Sequence, residues 1–342
     1  MLRTPSPSLQ MDDVHVRAQL EELLRTLAAA ARRKLPMVKD TAERAIMSLR
    51  TGAGADAGGA EALADELLQP LILTCNHKNA TPKLVGMALD GLQKLASHMP
   101  LSAVQLRNVV RVLAIQASAV NQKTKLRILQ TLPLLAASVT EGGSAFFHAD
   151  ADSVVQALTI CFFMQSTKGD HIIASTAHFT LRQLTTMLFD TIATRYPRIG
   201  TVAPGESGGA RAEAEAELRA VEDLPRGRSG GGGEGGADEP SQRMGLLIFS
   251  DLCSFAEGQV GEWLTVVEPT RELAFELLQS IVTTHARIFA RLGAFSELLR
   301  QKLFPLLITT LRAPSPMSAH VVVSVSKLLS TSVATFVRCF TL

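Results

Sequence analysis

CNHKNATPKLVGMALDGLQKLASHM, residues Cys75–Met99, decides the fold. It reads as one loop feeding one strongly specified helix. Thr81 suits the N-cap, and Pro82 suits the first helical position, where a missing N–H costs nothing. Leu84, Met87, Ala88, Gly91, Leu92 and Leu95 recur at spacings of three and four, the period of a helix with a buried stripe. Lys83, Asp90, Gln93 and Lys94 fall largely on the other face. No residue in the stretch has the surroundings of a catalyst. It specifies a helical scaffold.

Working outward, the same period recurs on both sides. Val14–Lys34 is amphipathic, with Val16, Leu20, Leu23, Leu24, Leu27 and Ala31 on one stripe. Pro36 opens a second helix, and Glu61–Leu73 is a third, interrupted or kinked near Pro70. Ser102–Ser118, Lys123–Ser138, a helix capped by Asp150 or Asp152 and running to Met164, and His171–Tyr196 follow. After a break come a helix from Met244, then Arg271–Phe289, Phe295–Leu311 and an apolar helix over Met317–Val337. Paired helices at a period near 40 residues belong to HEAT or armadillo stacking, where each pair buries its face against its neighbours. The expected class is all-α, an armadillo/HEAT-like solenoid in two segments.

Composition agrees. The 342 residues are 46% hydrophobic and 19% charged, with one Trp, one Tyr and 14 Phe, which suits stacked helices better than aromatic-rich strands. A net charge of +2 favours no polyanionic partner, so nucleic acid is not expected. The four cysteines are scattered without a CxxC, as expected of reduced core thiols in a cytoplasmic protein. The first residues, MLRTPSPSLQMDDV, carry no apolar signal-peptide core. Lys327 and seven hydroxyl residues interrupt Met317–Val337, so a buried helix is expected there and not a membrane span.

Residues 197–243 are rich in Gly, Glu and Ala and nearly free of large apolar side chains, so a disordered linker is expected between domains 1–196 and 244–342. Gly205-Glu206-Ser207-Gly208-Gly209 has the letters of a nucleophile elbow but lacks the strand that must precede one. Gly230–Gly236 lacks the Lys-Ser/Thr ending of a phosphate loop. Cys75, His77 and His98 offer only part of a tetrahedral zinc set. No catalytic, cofactor or metal residues are therefore assigned. Two basic sets, Arg32-Arg33-Lys34 with Lys39 and Lys78 with Lys83 and Lys94, suit an anionic lipid surface or an acidic partner; a solvated helix face is the simpler reading. The chain stops at Leu342 while still apolar, which reads as part of a longer protein.

Four stretches carry a family resemblance: RRKLPMVKDTAERAI (Arg32–Ile46), LLQPLILTCNHKNATPKLVGMALDGLQKLASH (Leu67–His98), ALTICFFMQSTKGDHIIASTAHFTLRQLTTMLFD (Ala157–Asp190), and Phe249–Ile308. Together they resemble the N-terminal part of the Mon-two family, trafficking relatives of the large Arf guanine-nucleotide exchange factors. The first three resemble the dimerisation and cyclophilin-binding domain, and the last the start of the region upstream of the Sec-seven domain. The resemblance implies a non-enzymatic scaffold of vesicle-mediated transport between endosomes and the trans-Golgi, peripheral on their membranes. The implied partners are an Arf- or Arl-type small GTPase, a Dopey-like protein, a phospholipid flippase and a second copy in a homodimer. The alternative is the regulatory part of a true large Arf exchange factor whose catalytic domain lies beyond residue 342. Lys78, Asn79, Lys83, Lys94 and His98, around the organising helix, are the expected partner-binding surface.

Overall fold

The computed structural model describes residues 14–31, 34–51, 59–119, 121–140, 143–144, 146–147, 151–167, 169–195, 240–266, 270–312 and 319–341. The fold is all-α, of the helical-solenoid class, and the chain forms two compact units, Met1–Thr180 and Leu181–Leu342. Of the expected linker, residues 197–239 lie outside the described residues. Its last four form the start of a helix that opens at Pro240.

The first unit holds α1 (Val14–Ala31), α2 (Pro36–Thr51), α3 (Gly59–Asn76), α4 (Pro82–His98), α5 (Ala103–Ala117), α6 (Gln122–Ala137), α7 (Ala151–Gln165) and the beginning of α8 (His171–Arg195). Two-residue strands, Val139–Thr140 and Gly143–Ser144, pair antiparallel between α6 and α7. Each of the first three helices packs on the next, α1 also meets α4, and α4 meets α6. Such neighbour-on-neighbour burial is the armadillo-like pattern.

The capping letters act as their chemistry predicts. Thr81 Oγ1 accepts the Leu84 N–H at 3.4 Å, Asn121 Oδ1 accepts those of Lys123 and Thr124, and Asp170 Oδ1 accepts that of Ile173. α3 runs unbroken through Pro70, contrary to the expected interruption. The proline removes one donor to the Glu66 carbonyl, whose residue faces solvent, and its ring is buried.

α4 is covered more widely than one stripe allows. Val85, Gly86, Leu89 and Ala96 are buried beside the expected residues, while Met87 is only half-buried. At Gly91 the neighbouring helices come close: a Cβ there would lie 2.8 Å from Leu71 Cδ2 and 3.1 Å from Leu23 Cδ2.

The second unit contains the end of α8, then α9 (Pro240–Glu257), α10 (Arg271–Thr284), α11 (Ala286–Arg291), α12 (Gly293–Leu298), α13 (Phe304–Arg312) and α14 (Ala319–Thr341). α14 packs on α10 and α11, and the described part of Met317–Val337 has Val325 and Leu328 fully buried. No helix among the described residues is long and apolar enough to cross a membrane. Phe189, Phe249, Phe289 and Phe295 form the aromatic centre of this unit.

Two of the expected long helices are broken. Arg271–Phe289 divides at His285, whose buried side chain sits between α10 and α11. Phe295–Leu311 contains a π-turn over Leu299–Leu303, closed by Phe304 N–H to the Leu299 carbonyl. Pro305 follows at once and has no N–H to offer, so the ladder shifts register before it.

His285 Nδ1 lies 3.8 Å from Asp190 Oδ1, and Nε2 has no hydrogen-bond partner among the described residues. Burial holds the imidazole below its ordinary 6.5, against the opposing pull of Asp190. The unfolded chain therefore binds a proton that the folded one resists. The stability His285 contributes is present above 6.5 and is lost as pH falls through the depressed folded value. Urea midpoints compared at about pH 7 and about pH 5 should fall further for the wild type than for His285→Phe. Equal falls would remove His285 as the cause.

Asp251 fixes the loop after α9. Its carboxylate accepts three backbone N–H groups, from Glu262 at 3.0 Å, Trp263 at 2.9 Å and Leu264 at 2.5 Å. Burial pushes this carboxyl up from the usual range, and the three donors pull it back. Gly261 leaves the space: a Cβ there would meet Asp251 Oδ2 and Phe255 Cε1, both at 2.8 Å. Asp251→Ala strands the three donors and should cost about 2 kcal/mol or more, read from the Trp263 fluorescence transition in urea. An unchanged midpoint would show that water replaces the carboxylate without loss.

Candidate functional site

The expected surface around α4 separates into two parts. Lys78 and Asn79 sit exposed in the turn before α4, and Lys83 is exposed in its first turn. His77 beside them accepts the Asn79 N–H on Nδ1 at 3.1 Å. Lys94 and His98 lie near the other end, about 16 Å and 22 Å along the axis from Lys83. Both are half-buried, and the Lys94 ammonium donates to Gln19 Oε1 on α1 at 2.8 Å. Asp90 pairs with Arg127 of α6 at 2.8 Å, and Gln93 Nε2 donates to the Arg127 carbonyl and to Thr131 Oγ1. Burial pushes the Asp90 carboxyl up, while Arg127 and Lys94 pull it down. Much of the polar face of α4 is thus taken up by α1 and α6.

Cys75, Cys161 and Cys253 are buried and unlinked. Burial pushes the Cys75 thiol up to about 12, which leaves it a poor thiolate ligand or nucleophile. His77 is exposed across the loop from it.

The structure draws attention to a different place. A groove of about 520 Å³ opens between α3 and α5. The two helices run parallel: Gln105 Nε2 donates to the Glu61 carbonyl and to Asp65 Oδ1 at 2.9 Å, and Gln116 Nε2 donates to the Cys75 carbonyl at 2.6 Å. These glutamines brace the groove at either end. Leu68, Ile72 and Val112 give it apolar walls; Asp65 and Glu66 lie toward one end, and Arg111 faces in further along. On the outer side of α5, Val104 is 60% and Ile115 53% exposed. The sequence held a trace of this. Val104, Asn108, Arg111 and Ile115 recur at helical spacing, a stripe with apolar ends on what should be a solvated face.

The family comparisons fall on both folded segments. The model for the Mon2/Sec7/BIG1-like dimerisation and cyclophilin-binding domain matches residues 11–195, more than half of the chain. The chain belongs to this family. The Mon2/Sec7/BIG1-like HUS domain model matches residues 241–338. Among relatives, Protein MON2 homolog of Homo sapiens is 27% identical over 289 residues, covering 83% of this chain and 15% of the relative. Monensin-resistant homolog 2 of Caenorhabditis elegans is 28% identical over 309 residues, covering 87% and 17%. Protein MON2 homolog of Schizosaccharomyces pombe is 23% identical over 274 residues, covering 80% and 14%. The chain therefore spans well under a fifth of the length of these MON2 relatives. Within this Mon2/Sec7-like frame, α1 to α8 form the first domain, which includes both the α4 surface and the α3–α5 groove.

Proposed function

We propose that the chain is the partner-binding part of a non-enzymatic scaffold in vesicle-mediated transport between endosomes and the trans-Golgi. One observation carries the reading: the two family domains follow one another along the chain, and relatives named as MON2 homologues align across 80–87% of it. Stacked helices suit the role, because they offer long exposed faces and grooves to other proteins. On this reading the protein is peripheral on the two membranes. Its partners are an Arf- or Arl-type small GTPase, a Dopey-like protein, a phospholipid flippase and, through the dimerisation domain, a second copy of itself. Lys78, Asn79 and Lys83 are the accessible basic end of the α4 surface for such contacts. The family name also embraces Sec7-type proteins, so a regulatory segment of a true exchange factor is the second reading; the MON2 names among the relatives favour the first.

The test is the location of the intact protein, fluorescently tagged, in cells with marked trans-Golgi and endosomes. Puncta coinciding with both markers are expected. A diffuse signal throughout the cytosol would overturn the proposal.

A further inference from the structure

We infer that one edge of the first unit docks on an anionic lipid bilayer, its lysines on the headgroups and its exposed apolar side chains in the headgroup layer. The inference rests on the scaffold reading above, which holds the protein on membranes, and names the surface that meets them. Charge gives the first sign. The whole chain has a net charge of only +2, yet residues 67–140 carry eight Lys or Arg and one acid, Asp90.

Hydrogen bonds show where this charge collects. Gln122 Nε2 donates to Asp170 Oδ1 at 3.1 Å and Thr180 Oγ1 to the Leu129 carbonyl at 3.4 Å, so α6 and α8 run parallel. Asp90 pairs with Arg127 and Gln93 reaches Thr131, so α4 is parallel to α6. α1 runs against α4, because Lys94 reaches Gln19 and Gly91 lies against Leu23. Eight residues on from that last contact, Lys83 stands level with Ala31. One layer is therefore α1, α4, α6 and α8, and the other is α2, α3, α5 and α7. The ends of α1, α3, α5 and α7 and the starts of α2, α4, α6 and α8 share one edge, about 25–30 Å wide at ordinary helix spacing. Macrodipoles of opposite sense offset one another there, so side chains set the sign of the potential.

That sign is positive. Lys34, Lys78, Lys83 and Lys123 are exposed on this edge and Lys125 is half-buried; no ion pair involves any of them among the described residues. Against them stand Asp40, one turn into α2, and Asp170, which is occupied by the Ile173 N–H and Gln122. The edge thus unites the two basic sets that lie far apart in the chain and adds α6 to them. Apolar side chains stand among the lysines. Met37 in the first turn of α2, Ile115 and Phe163 in the last turns of α5 and α7, and Ile172 in the first turn of α8 are each half or more exposed. Acidic proteins are best matched by forked guanidinium groups held in register. Spread ammonium groups with apolar side chains between them suit diffuse negative charge over an apolar layer, which is a bilayer surface.

The test is flotation of the whole chain with phosphatidylcholine vesicles, with and without about 30% phosphatidylserine, at about 0.1 M salt. Binding is expected only with phosphatidylserine. Lys83→Glu/Lys123→Glu should weaken it at least about tenfold, since each lysine near such a surface contributes about fivefold. Met37→Ser/Ile172→Ser should weaken it about fivefold or more. Arg44→Glu/Arg111→Glu makes the same change of charge at exposed mid-helix positions and should bind nearly as wild type. Helical circular dichroism should match in all four proteins. Equal binding to neutral vesicles, or equal losses in the edge and mid-helix charge variants, would overturn the inference. A polyglutamate peptide held through Lys83 and Lys123 while anionic vesicles are not would assign the edge to an acidic protein, and overturn it as well. The location of the tagged protein separates the two levels. Puncta that survive Lys83→Glu/Lys123→Glu defeat the edge alone, and a diffuse wild-type signal defeats the scaffold reading.

Discussion

Phe289→Ala lowers the stability of the second unit by about 4 kcal/mol, within the range for emptying a buried phenylalanine site. The ring is fully buried and meets three others: Phe249 at 5.1 Å, Phe295 edge-on at 5.5 Å and Phe189 stacked at 6.5 Å. Its removal takes away the apolar burial and the oriented ring contacts, each pair contributing about 0.5–1.5 kcal/mol beyond area. Collapse cannot refill the space cheaply. Ser296 donates to the Phe289 carbonyl and fixes the short α11–α12 connection, so the backbone resists moving inward. Trp263 is the only tryptophan and lies in this unit, so its fluorescence in urea isolates the effect. Val260→Ala is the control, since that side chain lies in the same unit and is 69% exposed; it should move stability by less than about 0.5 kcal/mol. Similar shifts for the two variants would mean that the aromatic centre does not hold the unit.

Gly91→Val does comparable damage to the first unit. A Cβ at this position would already stand 2.8 and 3.0 Å from the two methyls of Leu71 and 3.1 Å from Leu23. Two further methyls have nowhere to go, because Leu67, Leu71 and Leu92 are packed to within 1% exposure. Overpacking of this kind costs about 3 kcal/mol, and the gain in helix propensity on losing glycine offsets only a fraction. The loss should appear in the helical circular dichroism transition while the Trp263 transition stays in place. Ser97→Val, on the exposed side of the same helix, should be close to neutral. A Gly91→Val protein as stable as wild type would show that α4 does not approach α3 and α1 so closely.

The helices were legible because capping and periodicity are local. Thr81 and Pro82 announce their helix start within four residues of chain, and the structure uses both. The breaks were less legible. His285 carries no turn chemistry and stays in phase with Ile281, Val282, Ile288 and Phe289, so periodicity runs straight through the point where α10 ends. Pro305 was visible, but a register shift before it, and not a stop, depends on Leu299 and Leu303 being held in the core.

The surface was harder still. Lys94 looked free because Gln19, its partner, lies 75 residues away in the chain. The α3–α5 groove depends on a parallel pairing between helices separated by α4, which no local pattern specifies. Only the exposed Val104 and Ile115 hinted at it.

The scaffold reading and its rival differ most directly in guanine-nucleotide exchange. Arf- and Arl-class GTPases loaded with a fluorescent nucleotide, mixed with the intact protein, give the decisive record. The scaffold reading predicts a complex with a GTP-loaded GTPase and nucleotide release no faster than the GTPase alone. Release accelerated in proportion to added protein would contradict it and make the protein an exchange factor.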